Sequence, residues 1–298
     1  MGYHKSLPTT YLNVLVKLKN DGFAESTLKN FSKWYKILSA NCTLEDPESV
    51  RAYIANLNKS PDYKRNLIAC YDHFAKFYKI TWDRPKYKKT GNHKKAPLEQ
   101  NVNFIIEHCH SLKRKVAFTI IKEYGLRPVE LGKLTLRDID LEQGLMYVKT
   151  AKYGNPRSFK IKPDTLSKLI LVIGEDRADL DKQIFASQDT LTHHWHIERK
   201  RAYVATGNPE FLKIRLYDLR HYFATMLYHS TKDLLFVMQQ LGHKNIQNTM
   251  VYTHLVHFSN EEYHVSVAKT VDDACKLIEQ GFEFVCQIDD AKLFRKRK

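Results

Sequence analysis

The sequence lacks any uninterrupted apolar run long enough to cross a membrane, and it opens without the apolar core of a secretory signal. Its 298 residues include only five cysteines, which are widely spaced and never form a C-x-x-C pair. Neither a disulfide framework nor a zinc ribbon is therefore expected. These absences predict a soluble cytoplasmic protein, and 43% apolar residues are enough to fill real hydrophobic cores.

Signatures of bound nucleotides and metals are missing as well, since no G-x-x-x-x-G-K-[ST], G-x-G-x-x-G or H-E-x-x-H occurs. Asp138 and Asp140 could hold a divalent ion, as a metal-dependent nuclease requires. A turn-forming role is favoured because Gly144 follows closely. Two short groups of histidines lack cysteine or carboxylate partners at ligand spacing: His108 and His110, and His193, His194 and His196. We expect neither a metal nor a cofactor.

Positive charge is what the sequence has in excess. Lys and Arg number 48 against 33 Asp and Glu, which gives a formal net charge of +15. Such an imbalance favours a polyanionic partner, nucleic acid first. The segment 84–97 concentrates this charge between Pro85 and Pro97 without apolar periodicity. It predicts a basic linker that follows a phosphate backbone.

Apolar periodicity divides the chain on either side of this linker. Residues 1–83 repeat apolar side chains at three- and four-residue spacing, which predicts a helical domain of four helices. Residues 98–265 predict a larger mixed domain. Residues 266–298 predict a C-terminal helix followed by a basic tail.

A β-hairpin is expected inside the larger domain. Residues 145–148 and 158–161 alternate apolar and polar side chains, and turn-forming residues lie between them. The pair at 184–185 is a candidate edge strand. The fold class predicted is therefore mainly α with a small antiparallel β-sheet (α+β).

Several reactive side chains lie in local contexts that would hold them still. Arg127 stands at a turn entering a helix, and Arg220 shares a helix face with Tyr217, three residues away. His243 follows a glycine that can end a helix, and Tyr252 comes nine residues later. The set joins cationic side chains to a phenol.

These residue types suit cleavage of a phosphodiester without a metal. Two arginines can grip the non-bridging oxygens and offset the charge of a pentavalent transition state. A phenol can be the nucleophile and form a phosphotyrosine that keeps the bond energy for religation, so no cofactor is needed. A lysine on a hairpin that follows the DNA can protonate the leaving 5′-oxygen.

Four motifs together resemble the tyrosine recombinase family of phage-type integrases and Xer-like recombinases, in order and in spacing: Gly125–Leu131, Leu219–His221, Leu241–His243 and Thr249–His254. The resemblance covers about residues 98–257. It implies two catalytic arginines, a phosphate-contacting histidine and a nucleophile, which are Arg127, Arg220, His243 and Tyr252. Residues 1–83 resemble the family's core-binding domain in architecture, and the end of the chain resembles archaeal integrases.

Two further site positions follow from the same resemblance. The family usually has histidine three residues before the second arginine, where this chain has Tyr217. A phenol cannot offer a cationic donor near neutral pH but can donate a hydrogen bond to phosphate, and a structural role is the alternative. The family pattern places the catalytic lysine at the start of the hairpin turn, which selects Lys152 and leaves Lys149 as the alternative. Glu130 is interpreted as structural, bracing a helix or an arginine, and His221 as a packed neighbour of Arg220.

The resemblance implies a site-specific DNA recombinase, or integrase, that clamps double-stranded DNA between its two domains. It further implies strand exchange through a covalent 3′-phosphotyrosine and a Holliday junction, in a homotetramer on two DNA sites. A tyrosine transposase or a type IB topoisomerase would use the same residues, and a non-catalytic DNA-binding protein is the alternative of another class. The apolar spacing of Ala274, Leu277 and Ile278 predicts that the C-terminal helix packs on a neighbouring subunit.

Overall fold

The computed structural model of the protein describes residues 10–88, 96–150, 154–175, 178–253, 263–288 and 291–297. The chain divides into two compact units, 1–92 and 93–298, and the division falls inside the segment 84–97. The mainly helical α+β fold expected from the sequence is confirmed. No helix in the described part of the chain is long and apolar enough to span a membrane.

The described part of the first unit consists of four helices, as predicted: α1 (Tyr11–Asn20), α2 (Glu25–Asn41), α3 (Pro47–Asn56) and α4 (Pro61–Tyr78). Asp46 and Ser60 cap α3 and α4, because each side chain accepts a hydrogen bond from a backbone N–H of the first turn. A proline directly after each cap favours the helical start. The four apolar faces form one core, in which the Tyr35 hydroxyl donates to the Cys70 carbonyl at 2.8 Å.

Helices also surround the core of the second unit: α5 (Glu99–Glu107), α6 (Leu112–Tyr124), α7 (Pro128–Leu131), α8 (Pro163–Ile173), α9 (Gln188–Thr206), α10 (Glu210–Lys213), α11 (Asp218–Thr231), α12 (Leu234–Leu241) and α13 (Gln247–Met250). Phe118 of α6 and Trp195 of α9 are buried at its centre with their rings edge to face. Leu219 of α11 belongs to the same core. The core therefore fixes α6 and α11 relative to each other.

A small antiparallel sheet accompanies these helices. Its strands are β1 (Ile139–Asp140), β2 (Leu145–Val148) and β3 (Arg157–Lys160), in the order β1-β2-β3. The predicted hairpin is confirmed, with Met146 opposite Phe159. The edge strand expected at 184–185 does not form. Ile184 N instead donates to the Leu134 carbonyl at 2.9 Å, which holds that segment against the end of α7.

The last part of the second unit forms a second antiparallel sheet. Its strands β4 (Tyr263–Ala268), β5 (Glu283–Ile288) and β6 (Ala291–Arg297) are ordered β4-β6-β5, and α14 (Val271–Glu279) connects β4 to β5. The expected C-terminal helix is α14. Residues 291–297 of the expected tail are a strand that pairs with β4 and β5, and Phe294, opposite Ser266, is buried.

Candidate active site

The first arginine of the candidate site stands where α6 ends and α7 begins. Gly125 ends α6 at φ +62°, and a Cβ there would collide with the Phe223 ring, so this turn needs glycine. Arg127 is the N-cap residue, directly before α7. Its side chain is mostly buried, and Nη1 donates to Glu130 Oε1 at 2.6 Å. The guanidinium is therefore held in place before any ligand arrives.

Arg220 lies in the first turn of α11 and is completely buried. Its Nη1 donates to the Gly125 carbonyl, and its Nη2 donates to the Leu241 carbonyl at 2.6 Å. Burial, together with the nearby Arg127, lowers the pKa of this guanidinium to about 10, so it is still protonated at neutral pH. One side chain thus ties the end of α6 to the end of α12.

His243 follows directly on this junction. Gly242 ends α12 at φ +63°, and the chain turns so that His243 N donates to the Met238 carbonyl at 3.0 Å. Arg220 Nη2 donates to His243 Nε2 at 3.1 Å, and His243 Nδ1 lies 2.9 Å from Thr249 Oγ1. The imidazole is therefore oriented from both sides.

Tyr252 lies in the turn after α13 and is only 2% exposed. Its hydroxyl oxygen is 2.9 Å from His221 Nδ1. Burial raises the pKa of the phenol above its ordinary value of 10.0, although the guanidiniums of Arg220 and Arg127 act in the opposite direction. Tyr252 is therefore a neutral phenol near neutral pH, within electrostatic reach of both arginines.

Tyr217, the remaining aromatic of the predicted set, precedes α11 as its N-terminal flanking residue. Its side chain is 40% exposed, unlike the buried Arg220 and Tyr252. Its ring meets the His221 ring at 5.2 Å in an edge-to-face arrangement. Tyr217 is therefore partly exposed to solvent and contacts the cluster through the His221 ring.

Sequence reasoning missed Arg157, which lies on β3 and whose side chain is only 4% exposed. Arg157 Nη2 donates to Glu130 Oε2 at 2.6 Å. The alternation of the strand carried a signal, because Arg157 shares the inward face with the buried Phe159. An inward-facing arginine needs a buried acceptor, and Glu130 is that acceptor.

The predicted bracing role of Glu130 is confirmed by its contacts. Its carboxylate accepts hydrogen bonds from the Arg127 backbone N–H at 2.8 Å and from both guanidiniums, of Arg127 and Arg157. Burial would raise the pKa of this carboxyl, but the contacts with Arg157 and Arg127 outweigh burial and hold the pKa below its ordinary value of 4.5. Glu130 thus joins α7 to β3 as a carboxylate.

Of the two candidate lysines of the hairpin, Lys149 lies in the described part of the chain. Lys149 Nζ forms an ion pair with Asp138 Oδ1 at 2.8 Å. Lys152, the predicted catalytic lysine, lies outside the described residues. The turn-forming role of the aspartates is confirmed, because Asp138 accepts from Thr135 N and Asp140 from Gln143 N. The described residues contain no group of His, Cys, Asp and Glu that could hold a metal ion.

The end of the hairpin turn rests against the glycine before His243. Asn155 N donates to the Gly242 carbonyl at 3.2 Å. A Cβ on Gly242 would come within 2.7 Å of the Asn155 carbonyl oxygen and 2.8 Å of Arg157 Nη1, so no larger residue fits without movement. The hairpin and the turn that carries His243 therefore fix each other's position.

The α+β unit thus gathers two arginines, a histidine and a tyrosine, the components of a site that can cleave phosphodiesters without a metal. Residues 94–257, more than half of the chain, match the phage integrase family, and the chain belongs to that family. The family resemblance seen in the four motifs is confirmed.

Individual relatives and solved structures agree with this assignment. The chain is similar to the tyrosine recombinase XerA of Saccharolobus solfataricus, at 30% identity over 61% of this chain and 60% of that protein's length. It is similar to the tyrosine recombinase XerA of Pyrococcus horikoshii, at 23% identity over 79% of this chain and 85% of that protein. A lambda integrase dimer bound to a COC′ core site shares its fold, with a TM-score of 0.64, 17% identity, and coverage of 84% of this chain and 96% of that one.

Proposed function

We propose that the protein is a site-specific DNA recombinase that cuts and rejoins double-stranded DNA through a covalent 3′-phosphotyrosine at Tyr252. The observation that carries the proposal is the junction at Arg220, whose guanidinium bonds the end of α6, the end of α12 and His243. Tyr252 stands within electrostatic reach of that guanidinium. Membership of the phage integrase family supports the same activity.

The residues divide the chemistry between them. Arg127 and Arg220 bind the non-bridging oxygens of the scissile phosphate and offset the charge of the transition state. His243, oriented by Arg220 and Thr249, assists them. The Tyr252 oxygen attacks the phosphorus, and Lys152 protonates the leaving 5′-oxygen. The bond energy stays in the phosphotyrosine, so religation needs no cofactor.

In this scheme Tyr217 is a neutral hydrogen-bond donor that contributes less than the two arginines. Its partly exposed phenol donates a hydrogen bond to the phosphate and carries no positive charge. Its edge contact with the His221 ring also orients that imidazole. We expect Tyr217→Phe to weaken cleavage less than loss of either arginine.

We further propose that four copies act together on two DNA sites. Support comes from a lambda integrase tetramer bound to a Holliday junction, which shares the fold with a TM-score of 0.64 and 17% identity over 80% of this chain and 75% of that one. The net charge of +15 provides the attraction to DNA. The C-terminal sheet and helix present apolar side chains that are at least half exposed and available to a neighbouring subunit: Val265, Val267 and Ile278.

A covalent-trapping experiment tests the activity. Wild-type protein, Tyr252→Phe and the matched control Tyr203→Phe are incubated with a library of nicked duplexes in EDTA, then separated by denaturing electrophoresis and identified by mass spectrometry. We expect an adduct on Tyr252 in wild type and control and none in Tyr252→Phe.

Other outcomes of this experiment would indicate a different class of protein. DNA binding without any adduct would favour a non-catalytic DNA-binding protein. Cleavage that EDTA abolishes would identify a metal nuclease. Relaxation of supercoiled DNA without strand exchange would favour a topoisomerase.

A further inference from the structure

The Tyr252 hydroxyl lies against His221, for which the sequence predicts a structural role. His221 Nδ1 lies 2.9 Å from the Tyr252 oxygen, and the two side chains are 3% and 2% exposed. We propose that His221 is the general base that takes the phenol proton when Tyr252 attacks the scissile phosphate. The inference rests on the proposed function and adds a catalytic residue to it.

A base is required because of where the phenol lies. A tyrosine oxygen attacks phosphorus effectively only as its proton leaves, and burial raises the pKa of the Tyr252 phenol above 10.0. The proton is therefore not lost to solvent at neutral pH before the attack. An imidazole, whose ordinary pKa lies near 6.5, is the side chain best matched to accept it at neutral pH.

The other groups around Tyr252 are poorer acceptors. The guanidiniums of Arg220 and Arg127 carry N–H donors only and have no lone pair to offer. Tyr217 is itself a phenol. Both ring nitrogens of His243 are already engaged, Nε2 by Arg220 and Nδ1 by Thr249.

The position of His221 is well fixed for this task. His221 follows Arg220 directly in α11, so the same turn of the helix carries both the base and the guanidinium that binds the phosphate. Thr225 Oγ1 donates to the His221 carbonyl at 2.8 Å, and the Tyr217 ring packs edge-on against the imidazole. With its proton on Nε2, the neutral ring accepts from the Tyr252 hydroxyl at Nδ1.

In the proposed step one bond to phosphorus forms as another breaks, and one proton moves at each end. The Tyr252 oxygen forms a bond to phosphorus while its proton passes to His221 Nδ1. The bond between phosphorus and the 5′-oxygen breaks, and that oxygen leaves with a proton from the general acid of the proposed function. In religation the 5′-hydroxyl attacks the phosphotyrosine, and His221 returns its proton to the departing phenol oxygen.

The test separates proton transfer from structure. His221→Asn keeps a polar atom near the position of Nδ1 but cannot take up a proton, and His193→Asn on the exposed face of α9 is the matched control. Single-turnover cleavage of a nicked duplex is measured for each, with either tyrosine or the more acidic difluorotyrosine at position 252. We expect His221→Asn to cleave about 10²- to 10⁴-fold more slowly than wild type. Difluorotyrosine should raise the cleavage rate of His221→Asn by at least about tenfold and should change the cleavage rate of wild type little.

A second replacement guards against misfolding. Triazolylalanine at position 221 keeps the shape of the imidazole but is a much weaker base, and it should also slow cleavage with recovery by difluorotyrosine. If His221→Asn cleaves within about threefold of wild type, or difluorotyrosine restores neither variant, His221 is not the base. If wild type itself forms no adduct on Tyr252, the proposed function fails and this assignment fails with it.

Discussion

Glu130 and Arg157 form a buried ion pair, 2.6 Å between Oε2 and Nη2, that ties the short helix after the first arginine to the third strand of the hairpin. Removing Arg157 would leave Glu130 Oε2 without its guanidinium while Oε1 keeps Arg127, and breaking a buried ion pair costs up to about 3–5 kcal/mol. We expect Arg157→Ala to destabilise the second unit by that order and to reduce covalent trapping. Chemical denaturation monitored by circular dichroism measures the loss.

The control for this substitution is the pair between Arg137 and Asp181, which is similar in chemistry but exposed to solvent. Water screens such a pair, and Arg137→Ala should leave the unfolding midpoint almost unchanged. Equal destabilisation by both substitutions would show that burial of the Glu130–Arg157 pair has no special weight.

Stability should depend on the charge of Glu130 at acidic pH. Its folded-state pKa lies below the ordinary 4.5, so the carboxylate contributes stability that is fully present above about pH 4.5 and is lost as the pH falls through the folded-state value. The difference in unfolding free energy between wild type and Glu130→Gln should therefore be constant at neutral pH and shrink in acid. A difference that stays constant down to about pH 3 contradicts this.

Gly242 should be more sensitive to substitution than a glycine of similar backbone conformation elsewhere. Gly242→Ala and Gly207→Ala both place an alanine at positive φ, +63° and +73°, which costs about 1–2 kcal/mol. Only at Gly242, of this pair, would the new methyl also meet Asn155 and Arg157. We expect Gly242→Ala to lower single-turnover cleavage by about 10²-fold through displacement of the site, and Gly207→Ala to cleave normally. Equal cleavage rates in Gly242→Ala and Gly207→Ala would show that the close approach of Gly242 to the hairpin does not position the site.

A substrate whose leaving group needs no proton can show which of the two candidate lysines is the general acid. Lys152→Ala should slow cleavage by about 10²- to 10⁴-fold, and a substrate with sulfur at the bridging 5′ position should restore it, because a thiolate leaves without a proton. Lys149 is paired with Asp138, so Lys149→Ala should cleave at a rate close to wild type. The reverse pattern would assign the acid to Lys149.

The C-terminal sheet and helix should contribute to assembly on DNA rather than to cutting. Ile278 of α14 is 59% exposed, and a charge there should weaken contacts with a neighbouring subunit. We expect Ile278→Lys, like deletion of the residues after Tyr263, to reduce the oligomer formed on DNA in sedimentation velocity. An oligomer of unchanged size in both variants rejects the prediction.

The features that the sequence predicted well depend on local patterns. Helix starts at Asp46 and Ser60 are local because a cap and a proline act within one turn. The hairpin is local because alternation and turn chemistry lie within seventeen residues, from Leu145 to Ile161. The motif residues were found because their order along the chain is distinctive.

The features that the sequence did not predict depend on contacts between distant segments. The approach of His221 to Tyr252 joins residues 31 positions apart, and that of Glu130 to Arg157 joins residues 27 apart. No periodicity encodes such pairs, since they follow from how α11, α13 and the hairpin pack. Strand β6 was missed because its basic residues resemble a frayed tail until the burial of Phe294 is known.

The two compact units of the chain each contain a hydrophobic core of their own, one around Tyr35 and Phe74 and the other around Phe118 and Trp195. A chain built in this way is expected to melt in two steps, so a single melting temperature does not describe it. All the substitutions proposed above lie in the unit 93–298, so those that change stability should shift one calorimetric transition only. The transition of the four-helix unit then serves as an internal reference within every scan.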